Sequence, residues 1–398
     1  MNTNDYIALE EQYGAHNYHP LDVVIEKAEG VWVTDVEGRR YLDCLAAYSA
    51  LNQGHCHPKI MEAFLAQAKK VTLTSRAFRN DQLPLLYKLL HDITGYEMSL
   101  PMNSGAEAVE TAIKAARKWG YTVKGIPDDK AEIICAADNF HGRTTTIVGF
   151  STEEQYKKGF GPFTPGFRIV KFGDIGALKN AITPNTAAFL VEPIQGEAGI
   201  IVPPEGYLRE AARLCAEHRV LLICDEIQSG LGRSGKLFAF EYDDIRPDMV
   251  IIGKALSGGF YPVSAVLSSK EILGVFKPGE HGSTFGGNPL AAAVACASLR
   301  VLVDEDLVRK SFDLGNYFMA KLRAIKSGHI KEIRGRGLWI GFVLDTKARP
   351  YCVALMNEGI LCKETHENVI RFAPPLVITK EEIDWACERI EKVVYSIH

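Results

Sequence analysis

Two short apolar runs, each ending in an ionisable residue, most constrain the fold of this chain. They lie at residues 220–225 (VLLICD) and 248–254 (DMVIIGK). Apolar runs of four or five residues, bounded by polar and glycine-rich turns, are typical of central strands in a parallel sheet covered on both faces. Ligands bind at the carboxyl edge of such a sheet. The sequence therefore predicts that the Asp225 carboxylate and the Lys254 amine share one crevice.

This pair of groups suits the chemistry of pyridoxal phosphate (PLP). A lysine amine can form a Schiff base with an aldehyde, and an aspartate can hold a pyridine nitrogen protonated. The protonated ring draws electrons from a neighbouring Cα–H bond, so the carboxylate matters as much as the amine. The alternative is that Asp225 is a turn residue and Lys254 a solvated strand end. These two residues alone favour neither interpretation.

Composition excludes several other classes of protein. The 398 residues are 47% hydrophobic and 24% charged, which is typical of a globular protein with a large domain and a smaller one. A net charge of -4 and a pI near 6.3 argue against nucleic-acid and anionic-membrane partners. No segment approaches the roughly 18 apolar residues of a membrane span. We therefore expect a small-molecule substrate.

The cysteines and the amino-terminal residues favour a cytoplasmic location. No two of the nine cysteines have the Cys-x-x-Cys spacing, so the sequence indicates neither a disulfide framework nor a zinc ribbon. The segment before residue 12 is acidic and lacks an apolar run, and no arginine precedes Arg39. Both features differ from secretory and mitochondrial presequences.

Residues 54–58 (GHCHP) have to be weighed as a metal site, because two histidines flank a cysteine. Side chains that are neighbours in sequence diverge in direction, and no further ligand cluster accompanies them. We therefore predict no metal. Instead, Pro58 in the first turn predicts a helix through Lys70 with His57 at its cap.

Two further segments could bind parts of a cofactor or substrate. Ser104 and Glu107 form a capping box, and Gly105 would let a phosphate approach the free amides of the helix that follows. A capped helix without a ligand is the commoner case, so this motif counts only together with others. After another predicted strand, Phe140 could stack on a flat ring and Arg143 could bind a carboxylate.

Two more loops carry polar groups that could bind parts of a cofactor or substrate. A predicted strand at 188–191 ends at Glu192, and Glu197 follows five residues later. The glycine-rich loop at 282–289 carries two hydroxyls that could donate to a phosphate, and it opens an alanine-rich helix at 290–299.

The alternation of strands and helices predicts a doubly wound α/β sheet. Residues 1–50 are expected to form an arm with little regular structure that ends in strand-like segments and belongs in part to a small domain. Residues 51–300 are expected to form the large cofactor-binding domain. Residues 301–398 are expected to form a smaller α+β domain, whose final helix is capped by Thr379 and Glu382.

Residues 230–235 (GLGRSG) match the Gly-x-Gly-x-x-Gly fingerprint, which makes an NAD-dependent dehydrogenase the alternative from another class. The context argues against it, because polar residues separate the apolar run from the first glycine and no clear helix follows. A Walker A loop fails as well, since Leu237 stands where a serine or threonine must bind magnesium. A non-catalytic structural protein would not explain ionisable residues at four strand ends.

Residues 222–235 (LICDEIQSGLGRSG) and 253–259 (GKALSGG) closely resemble the class III (ω-amino acid) aminotransferases of PLP fold type I. Further blocks most resemble the members that act on ornithine: YGAHNYHP at 13–20, YSALNQGHCHP at 48–58, NFHGRT at 139–144, VEPIQGEAG at 191–199 and PGEHGSTFGGNP at 278–289. With Arg371, the resemblance covers essentially the whole chain. It implies a mostly parallel seven-stranded sheet in a large domain, and a smaller α+β domain built from both chain ends.

The resemblance also implies roles in cofactor binding. Lys254 would be the Schiff-base lysine and proton shuttle, and Asp225 the partner of the pyridinium nitrogen. Gln228 would contact the ring hydroxyl, and Phe140 would stack on the ring.

The phosphate of the cofactor would be held from two directions. Gly105 and Ala106 would bind it through their backbone amides. Ser283 and Thr284 would reach the phosphate of the neighbouring subunit's cofactor, which implies a homodimer with sites at its interface.

Six residues would bind the substrates, by the same resemblance: Tyr18, Tyr48, Arg143, Glu192, Glu197 and Arg371. Arg143 and Tyr18 would hold the α-carboxylate of ornithine, and the pair of Tyr18 with Tyr48 favours ornithine among possible donors. Arg371 would bind the α-carboxylate of glutamate, and Glu197 would mask that arginine, with Glu192 nearby.

The implied reaction is transfer of the δ-amino group of L-ornithine to 2-oxoglutarate. The products would be L-glutamate and L-glutamate 5-semialdehyde, which cyclises to pyrroline-5-carboxylate. Acetylornithine and 4-aminobutyrate aminotransferases are the nearest alternatives, and a PLP aminomutase or racemase is a more distant one. His141 departs from relatives that carry another aromatic residue at its position.

Overall fold

Three β-sheets organise the chain in the computed structural model, which describes residues 1–397. The strands are β1 (Ile25–Glu29), β2 (Trp32–Asp35), β3 (Arg40–Asp43), β4 (Met98–Met102), β5 (Glu132–Ala136), β6 (Phe167–Val170), β7 (Thr186–Val191), β8 (Leu221–Asp225), β9 (Met249–Ile252), β10 (Ser264–Ser268), β11 (Ile330–Gly335), β12 (Ile340–Leu344), β13 (Ile360–Leu361), β14 (Lys363–Thr365) and β15 (Val369–Phe372).

Helices lie on the faces of these sheets and between them. They are α1 (Thr3–Tyr13), α2 (Ala46–Ser49), α3 (Pro58–Ala68), α4 (Leu83–Thr94), α5 (Gly105–Trp119), α6 (Thr145–Gly149), α7 (Glu154–Lys157), α8 (Ile175–Ala181), α9 (Tyr207–Glu217), α10 (Lys270–Leu273), α11 (Pro289–Asp304), α12 (Leu307–Ala324), α13 (Arg349–Asn357) and α14 (Lys380–Ser396). A π-helical turn at Gly120–Lys124 and 3-10 turns at Ala239–Asp243 and Lys254–Ser257 complete them.

The central sheet has seven strands in the order β4-β10-β9-β8-β7-β5-β6. Its strands β9, β8, β7, β5 and β6 run parallel, whereas β10 runs antiparallel to both β9 and β4. This order confirms the predicted α/β fold with a mostly parallel seven-stranded sheet. Every residue of β7, β8 and β9 is buried, because helices cover both faces of the parallel strands.

Alternate side chains of the central strands pack into two hydrophobic cores. In β8, Leu221 and Ile223 belong to the core that includes α5, while Leu222 and Cys224 belong to the core that includes α9 and α11. The two-residue period of a strand produces this division. Burial of each aliphatic side chain contributes about 1.5 to 3 kcal/mol to the free energy of unfolding. The two cores together fix the position of the last residue of the strand, Asp225.

Helix α5 begins beside the end of β8. Its capping box forms as predicted, with Ser104 Oγ accepting from Glu107 N at 3.2 Å and the Glu107 carboxylate accepting from Ser104 N at 2.9 Å. A Cβ atom on Gly105 would lie 3.0 Å from Ile227 Cδ1, a side chain that follows β8. The cap and the glycine therefore let the helix N-terminus pack against the segment after Asp225.

The two smaller sheets collect strands from both ends of the chain. One has the order β1-β2-β3-β13, and its last strand pairs in parallel with β3 so that Ile360 lies opposite Leu42. The other has the order β11-β12-β15-β14. The β3–β13 pairing agrees with a smaller domain built from both chain ends. The domain boundaries at residues 50 and 300 stay predictions.

Residues 1–50 are more regular than the sequence suggests. Helix α1 spans Thr3–Tyr13 and begins with a capping box between Asn2 and Asp5. The prediction of an arm with little regular structure was wrong. The sequence did not indicate α1 because none of its residues is buried. A helix without a buried face leaves no apolar period in the sequence.

Other elements differ from the sequence prediction at their ends. Helix α3 ends at Ala68 rather than Lys70, and α11 continues to Asp304, five residues beyond the predicted end. The strands β1, β4, β6, β10 and β11 had no prediction at all. β4, β6 and β11 are only partly buried, with charged or exposed positions that interrupt an apolar run.

The GLGRSG motif after β8 joins distant segments of the chain. Arg233 is fully buried and donates hydrogen bonds of 2.6–3.1 Å to Asn52 Oδ1, Leu338 O and Pro374 O. Burial lowers the pKa of Arg233 to about 9. A Cβ atom on Gly337 would lie 2.4 Å from the backbone nitrogen of Gly235, so these glycines let two segments touch. This packing role accounts for the motif without a nucleotide.

Metal-ligating side chains are dispersed in the described part of the chain. Within residues 1–397, no group of three or more His, Cys, Asp or Glu side chains could hold a metal ion. His55 contacts Asp43 and His57 contacts Glu305, so the two histidines of the GHCHP segment bind separate carboxylates. None of the helices in these residues has the length and apolar character needed to cross a membrane.

Burial of Glu226 makes stability depend on pH. The carboxylate accepts from Ser229 Oγ at 2.6 Å and Phe240 N at 2.9 Å, yet burial raises its pKa to about 7, with a smaller contribution from Glu241. The pKa of Glu226 in the folded protein lies above its ordinary value of 4.5. The contribution of protonated Glu226 to the free energy of unfolding is therefore fully present below pH 4.5 and is lost as pH rises through 7. The loss amounts to about 3 kcal/mol.

We expect Glu226→Gln to reduce the fall in unfolding free energy between pH 5 and pH 8, because the amide does not titrate. Urea unfolding at the two pH values measures this difference. Glu217→Gln, at an exposed position of α9, is the matched control and should keep the parent's fall. An unchanged fall in the Glu226→Gln protein would show that other groups cause the pH dependence.

Candidate active site

Three neighbouring strands bring ionisable groups to one edge of the central sheet. Glu192 directly follows β7, Asp225 ends β8, and Lys254 follows β9 by two residues. These groups line a cavity of about 160 Å³. Seven predicted site residues line it in all: Gly105, Ala106, Phe140, Glu192, Asp225, Gln228 and Lys254. The structure thus brings together most of the residues that the sequence predicted to bind a cofactor.

Lys254 presents its amine to this cavity from a left-handed backbone conformation, with φ of 41°. Burial lowers the pKa of the amine, and the charges of Asp225 and Glu197 only partly oppose that effect. A lowered pKa increases the fraction of neutral amine, which is the nucleophilic form. The environment of Lys254 therefore suits an amine that reacts with a carbonyl.

Asp225 is held from two sides. Its Oδ2 accepts a hydrogen bond from His141 Nδ1 at 2.7 Å, and its Oδ1 accepts from Ile227 N at 3.0 Å. Burial alone would lower the pKa of His141, but the hydrogen bond and charge of Asp225, with that of Glu192, raise it overall. Asp225 therefore contacts the His141 ring on one side and lines the cavity on the other.

His141 is the residue that the sequence analysis missed. It received no role, although its ring is fully buried, contacts Asp225 and is influenced by the charge of a second carboxyl, that of Glu192. Burial raises the pKa of the second carboxyl, Glu192, to about 7, and Phe140 N and Gly196 N donate to it at 2.8 and 3.2 Å. His141 lies 84 residues before Asp225, so only the fold brings them together.

The N-terminus of α5 offers an anion site. Ser104 Oγ satisfies Glu107 N, but Gly105 N and Ala106 N have no hydrogen-bond acceptor in residues 1–397. Both residues line the cavity. Free amides at the positive end of a helix bind phosphate groups. This end of the cavity has the donors that a phosphate needs, and the phosphate-binding role of Gly105 and Ala106 stays a prediction.

Arg143 lies beside two aromatic rings. Its guanidinium carbon is 4.1 Å from the centroid of Tyr156 and 5.7 Å from that of Phe140. Arg143 is exposed, and within residues 1–397 no carboxylate lies within ion-pair distance of it. It is therefore available to an anionic ligand. Tyr156, on the short helix α7, had no predicted role.

Arg371 lies on β15 and is paired with Glu197. Its side chain is 2% exposed and donates to Glu197 Oε1 at 3.1 Å and to Gly196 O at 3.0 Å. Burial would raise the pKa of Glu197, but the Arg371 charge and hydrogen bond, with the Lys254 charge, lower it overall. Gln228, which lines the cavity, donates to the same Glu197 oxygen at 3.4 Å. The ion pair therefore borders the cavity.

Tyr48 lies next to this ion pair on an unusual turn. The Arg371 guanidinium carbon is 5.4 Å from the Tyr48 ring centroid. Burial raises the pKa of Tyr48, and Glu197 and the neighbouring Tyr18 add to the effect. The turn, α2, is left-handed, which costs roughly 1 to 2 kcal/mol per residue for side chains other than glycine. Tyr18 itself is 73% exposed.

Ser283 and Thr284 lie outside the cavity of their own chain. Ser283 Oγ accepts from Asn103 Nδ2 at 2.8 Å and from Gly286 N at 3.2 Å, while Thr284 is exposed. A second cavity, of about 380 Å³, adjoins the first and shares Gly105 and Lys254 with it. The role of the two hydroxyls in a neighbouring subunit's site stays a prediction.

Comparison with known proteins gives consistent matches over the whole chain. The family model described as aminotransferase class-III matches residues 13–394. An ornithine aminotransferase from Geobacillus sp. (strain WCH70) is 63% identical over 395 residues, which cover 99% of both chains.

Two solved structures extend the comparison. The ornithine aminotransferase from Toxoplasma gondii, crystallised in the presence of oxidised glutathione with partial occupancy of PLP at its active site, has a TM-score of 0.98 at 47% identity. The match covers 100% of this chain and 95% of that one. The acetylornithine aminotransferase from Elizabethkingia anophelis has a TM-score of 0.92 at 48% identity, and the match covers 100% of both chains.

The contact between Asp225 and His141 predicts a coupled titration. Asp225→Asn should lower the pKa of His141, because the neutral amide removes the charge that opposes desolvation of the imidazolium. Nuclear magnetic resonance of ¹⁵N-labelled histidine side chains over pH 5–9 measures this pKa. His55, which contacts Asp43 instead, is the internal control and should titrate as in the parent. An unchanged His141 titration would show that Asp225 does not hold its proton.

Proposed function

The chain belongs to the class-III aminotransferase family, and on that premise we propose that it transfers the δ-amino group of L-ornithine to 2-oxoglutarate. L-Glutamate 5-semialdehyde, which cyclises to pyrroline-5-carboxylate, and L-glutamate are the products. The observation that carries this proposal is the buried Arg371–Glu197 pair beside the Lys254 cavity. A masked arginine suits a pocket that must take two donors with differently placed carboxylates.

The family's cofactor is PLP, and the residues present fit it. When bound, PLP supplies an aldehyde that condenses with amines and a pyridine ring that draws electrons from the neighbouring carbon. Gly105 N and Ala106 N would hold its phosphate, and Asp225 its ring nitrogen. Phe140 would lie on the ring, and Gln228 would contact the ring hydroxyl.

Lys254 and Asp225 would divide the acid–base work. The lowered pKa of Lys254 lets its amine attack a carbonyl and later accept and return a proton at Nζ. The hydrogen bond from His141 Nδ1 orients the Asp225 carboxylate, so that it can hold a proton on a ring nitrogen. Asp225 ends β8 and Lys254 follows β9, and the hydrophobic cores beneath these strands fix the positions of both residues.

Arg143 and Tyr18 would hold the α-carboxylate of ornithine at the mouth of the pocket. Arg143 is exposed and unpaired with any carboxylate in residues 1–397, and a guanidinium can bind a carboxylate through two parallel hydrogen bonds. Anchoring the carboxylate there leaves the far amine to reach Lys254. Tyr48 would line the path between the two ends.

Arg371 would change partners between the two half-reactions. With ornithine bound, Glu197 stays on Arg371, and with glutamate bound, the substrate's α-carboxylate displaces it. The exchange is plausible because Arg371 is paired in both states, and an unpaired buried charge would cost about 3 to 5 kcal/mol. Glu192, whose pKa of about 7 reflects its burial, accepts from Gly196 N, and the Gly196 carbonyl accepts from Arg371.

A homodimer would complete the site. Thr284 is exposed, and Ser283 lies outside the cavity of its own chain, as expected of groups that serve a second copy. Helix α1 buries none of its residues, although Tyr6, Leu9 and Tyr13 are large and apolar. We further infer a cytoplasmic location from nine free cysteines, which suit a reducing compartment.

Acetylornithine aminotransferase is the second candidate function, because the acetylornithine enzyme from Elizabethkingia anophelis matches the whole chain. Amino-donor profiling of the PLP-loaded protein separates the candidates, with 2-oxoglutarate as the acceptor. We expect kcat/KM for L-ornithine to exceed that for N-acetylornithine and 4-aminobutyrate by about tenfold or more, because Arg143 and Tyr18 suit a free amino acid at the mouth.

The control for this experiment is Lys254→Ala. It should abolish turnover with every donor and remove the visible absorbance of the lysine-bound cofactor. A higher kcat/KM for N-acetylornithine would establish the second candidate, and no turnover with any of the three donors would refute both.

Glu197→Ala tests the partner exchange. Without Glu197, Arg371 is permanently available, so the variant should gain reactivity with α-amino donors such as alanine and lose preference for the δ-amine of ornithine. Single-turnover measurements of each half-reaction give the two rates separately. Glu332→Ala, which removes a carboxylate from the surface pair with Arg334, is the matched control. Equal slowing of both half-reactions would make Glu197 a structural partner only.

A further inference from the structure

Helix α2 carries Tyr48 in a strained backbone conformation. Its four residues, Ala46–Ser49, have φ values of 49°, 47°, 58° and 72°, and none of them is glycine. Side chains with a Cβ atom disfavour this left-handed region, and such strain persists only where surrounding contacts hold it. The contacts that hold α2 therefore also decide where the Tyr48 ring lies.

Asp43 supplies the contacts at the start of the turn. Its Oδ1 accepts hydrogen bonds from Leu45 N at 2.8 Å and Ala46 N at 2.9 Å. Its Oδ2 accepts from His55 Nε2 at 2.8 Å. One carboxylate oxygen is thus committed to α2 and the other to an imidazole. The side chains of Asp43 and His55 are only 10% and 16% exposed, so water competes little for either.

His55 is itself fixed by the backbone. Its N–H donates to Gly30 O at 2.7 Å, and its carbonyl accepts from Gly30 N at 3.0 Å. Asp43 N donates to Val31 O, the next residue, at 2.9 Å. Both members of the Asp43–His55 pair are therefore attached to the same short segment, which makes a rigid support for α2.

The neighbouring histidine has no such connection. His57 Nε2 lies 3.3 Å from a carboxylate oxygen of Glu305, just beyond the end of α11. Neither His57 nor Glu305 contacts α2, Arg371 or Glu197 through any hydrogen bond in residues 1–397. The two histidines of the GHCHP segment are thus chemically alike but differ in what they support.

We infer that the Asp43–His55 pair is a positioning device for donor selection, which acts through Tyr48 by holding α2 in its left-handed form. The pair lines neither cavity, whereas α2 borders both the Arg371–Glu197 pair, through Tyr48, and the second cavity, through Ala47. The ligand class is an α-amino acid that reacts through a second amine, remote from its α-carboxylate; 4-aminobutyrate lacks the α-amino group and falls outside this class. This inference rests on the proposed function, because Tyr48 selects donors only if it contacts them.

Loss of the imidazole frees one Asp43 oxygen and lets the carboxylate turn away from α2. The turn then relaxes toward ordinary φ values and moves the Tyr48 ring. Lys254, Asp225 and the N-terminus of α5 belong to other elements and keep their positions. The defect should therefore appear in KM and in donor preference, and not in the visible absorbance of the bound cofactor.

His55→Ala in the PLP-loaded enzyme tests the inference. We expect kcat/KM for L-ornithine to fall about tenfold, mainly through KM, while kcat/KM for 4-aminobutyrate changes little. Tyr48→Ala should show the same pattern, and the double variant should be no worse than Tyr48→Ala alone. His57→Ala is the matched control and should keep the parent's donor ratio. His55→Gln, whose amide can donate to Asp43, should restore most of the preference.

Two results would overturn the inference: equal losses with both donors, or effects of His55→Ala and Tyr48→Ala that simply add. If His55→Ala is too unstable to assay, His55→Asn replaces it, because its shorter side chain falls short of Asp43. Failure of the parent protein to use ornithine would refute the proposed function instead. The coupling between residues 55 and 48, measured with the parent's best donor, would then still decide the inference.

Discussion

The buried ion pair between Arg371 and Glu197 is the interaction on which the proposed donor selection depends. Arg371 is almost fully buried, and its only carboxylate partner in residues 1–397 is Glu197. Arg371 lies on β15 of a small sheet, and Glu197 lies in the loop after β7 of the central sheet. The pair therefore connects the small sheet to the carboxyl edge of the central sheet. In the proposed exchange, a ligand that displaces Glu197 brings its own carboxylate, because leaving the arginine charge unpaired would be costly. Charge pairing would then decide which substrate binds.

The fold holds the other charged groups of the site in place, as the proposed exchange requires. Adjacent strands deliver Glu192, Asp225 and Lys254, and the two cores beneath them leave little freedom at the strand ends. His141 holds the Asp225 carboxylate through a hydrogen bond of 2.7 Å from the protein side of the cavity. Lys254 and the residues of α2 are left-handed without being glycine, so the backbone is strained at both places. Lys254 lines the cavity, and Tyr48 of α2 lies beside the Arg371–Glu197 pair.

Features that depend on local sequence could be predicted, and features that depend on long-range contacts could not. The apolar runs before Asp225 and Lys254 predicted central strands and a shared crevice, because a buried parallel strand leaves a continuous apolar signal. The Ser104 cap was equally local. The role of His141 could not be predicted because its partner, Asp225, lies 84 residues away in the sequence. The left-handed form of α2 could not be predicted either, because the turn contains no glycine. Helix α1 lacks a buried face, so its residues carry no period.

The exchange of partners at Arg371 is tested most directly by a crystal structure of the PLP-loaded protein with glutarate, a five-carbon dicarboxylate that cannot react. We expect one glutarate carboxylate to bind Arg371 and the Glu197 carboxylate to move out of the 3.1 Å contact that it makes here. Glutarate bound in the cavity with the Arg371–Glu197 pair intact would contradict the exchange.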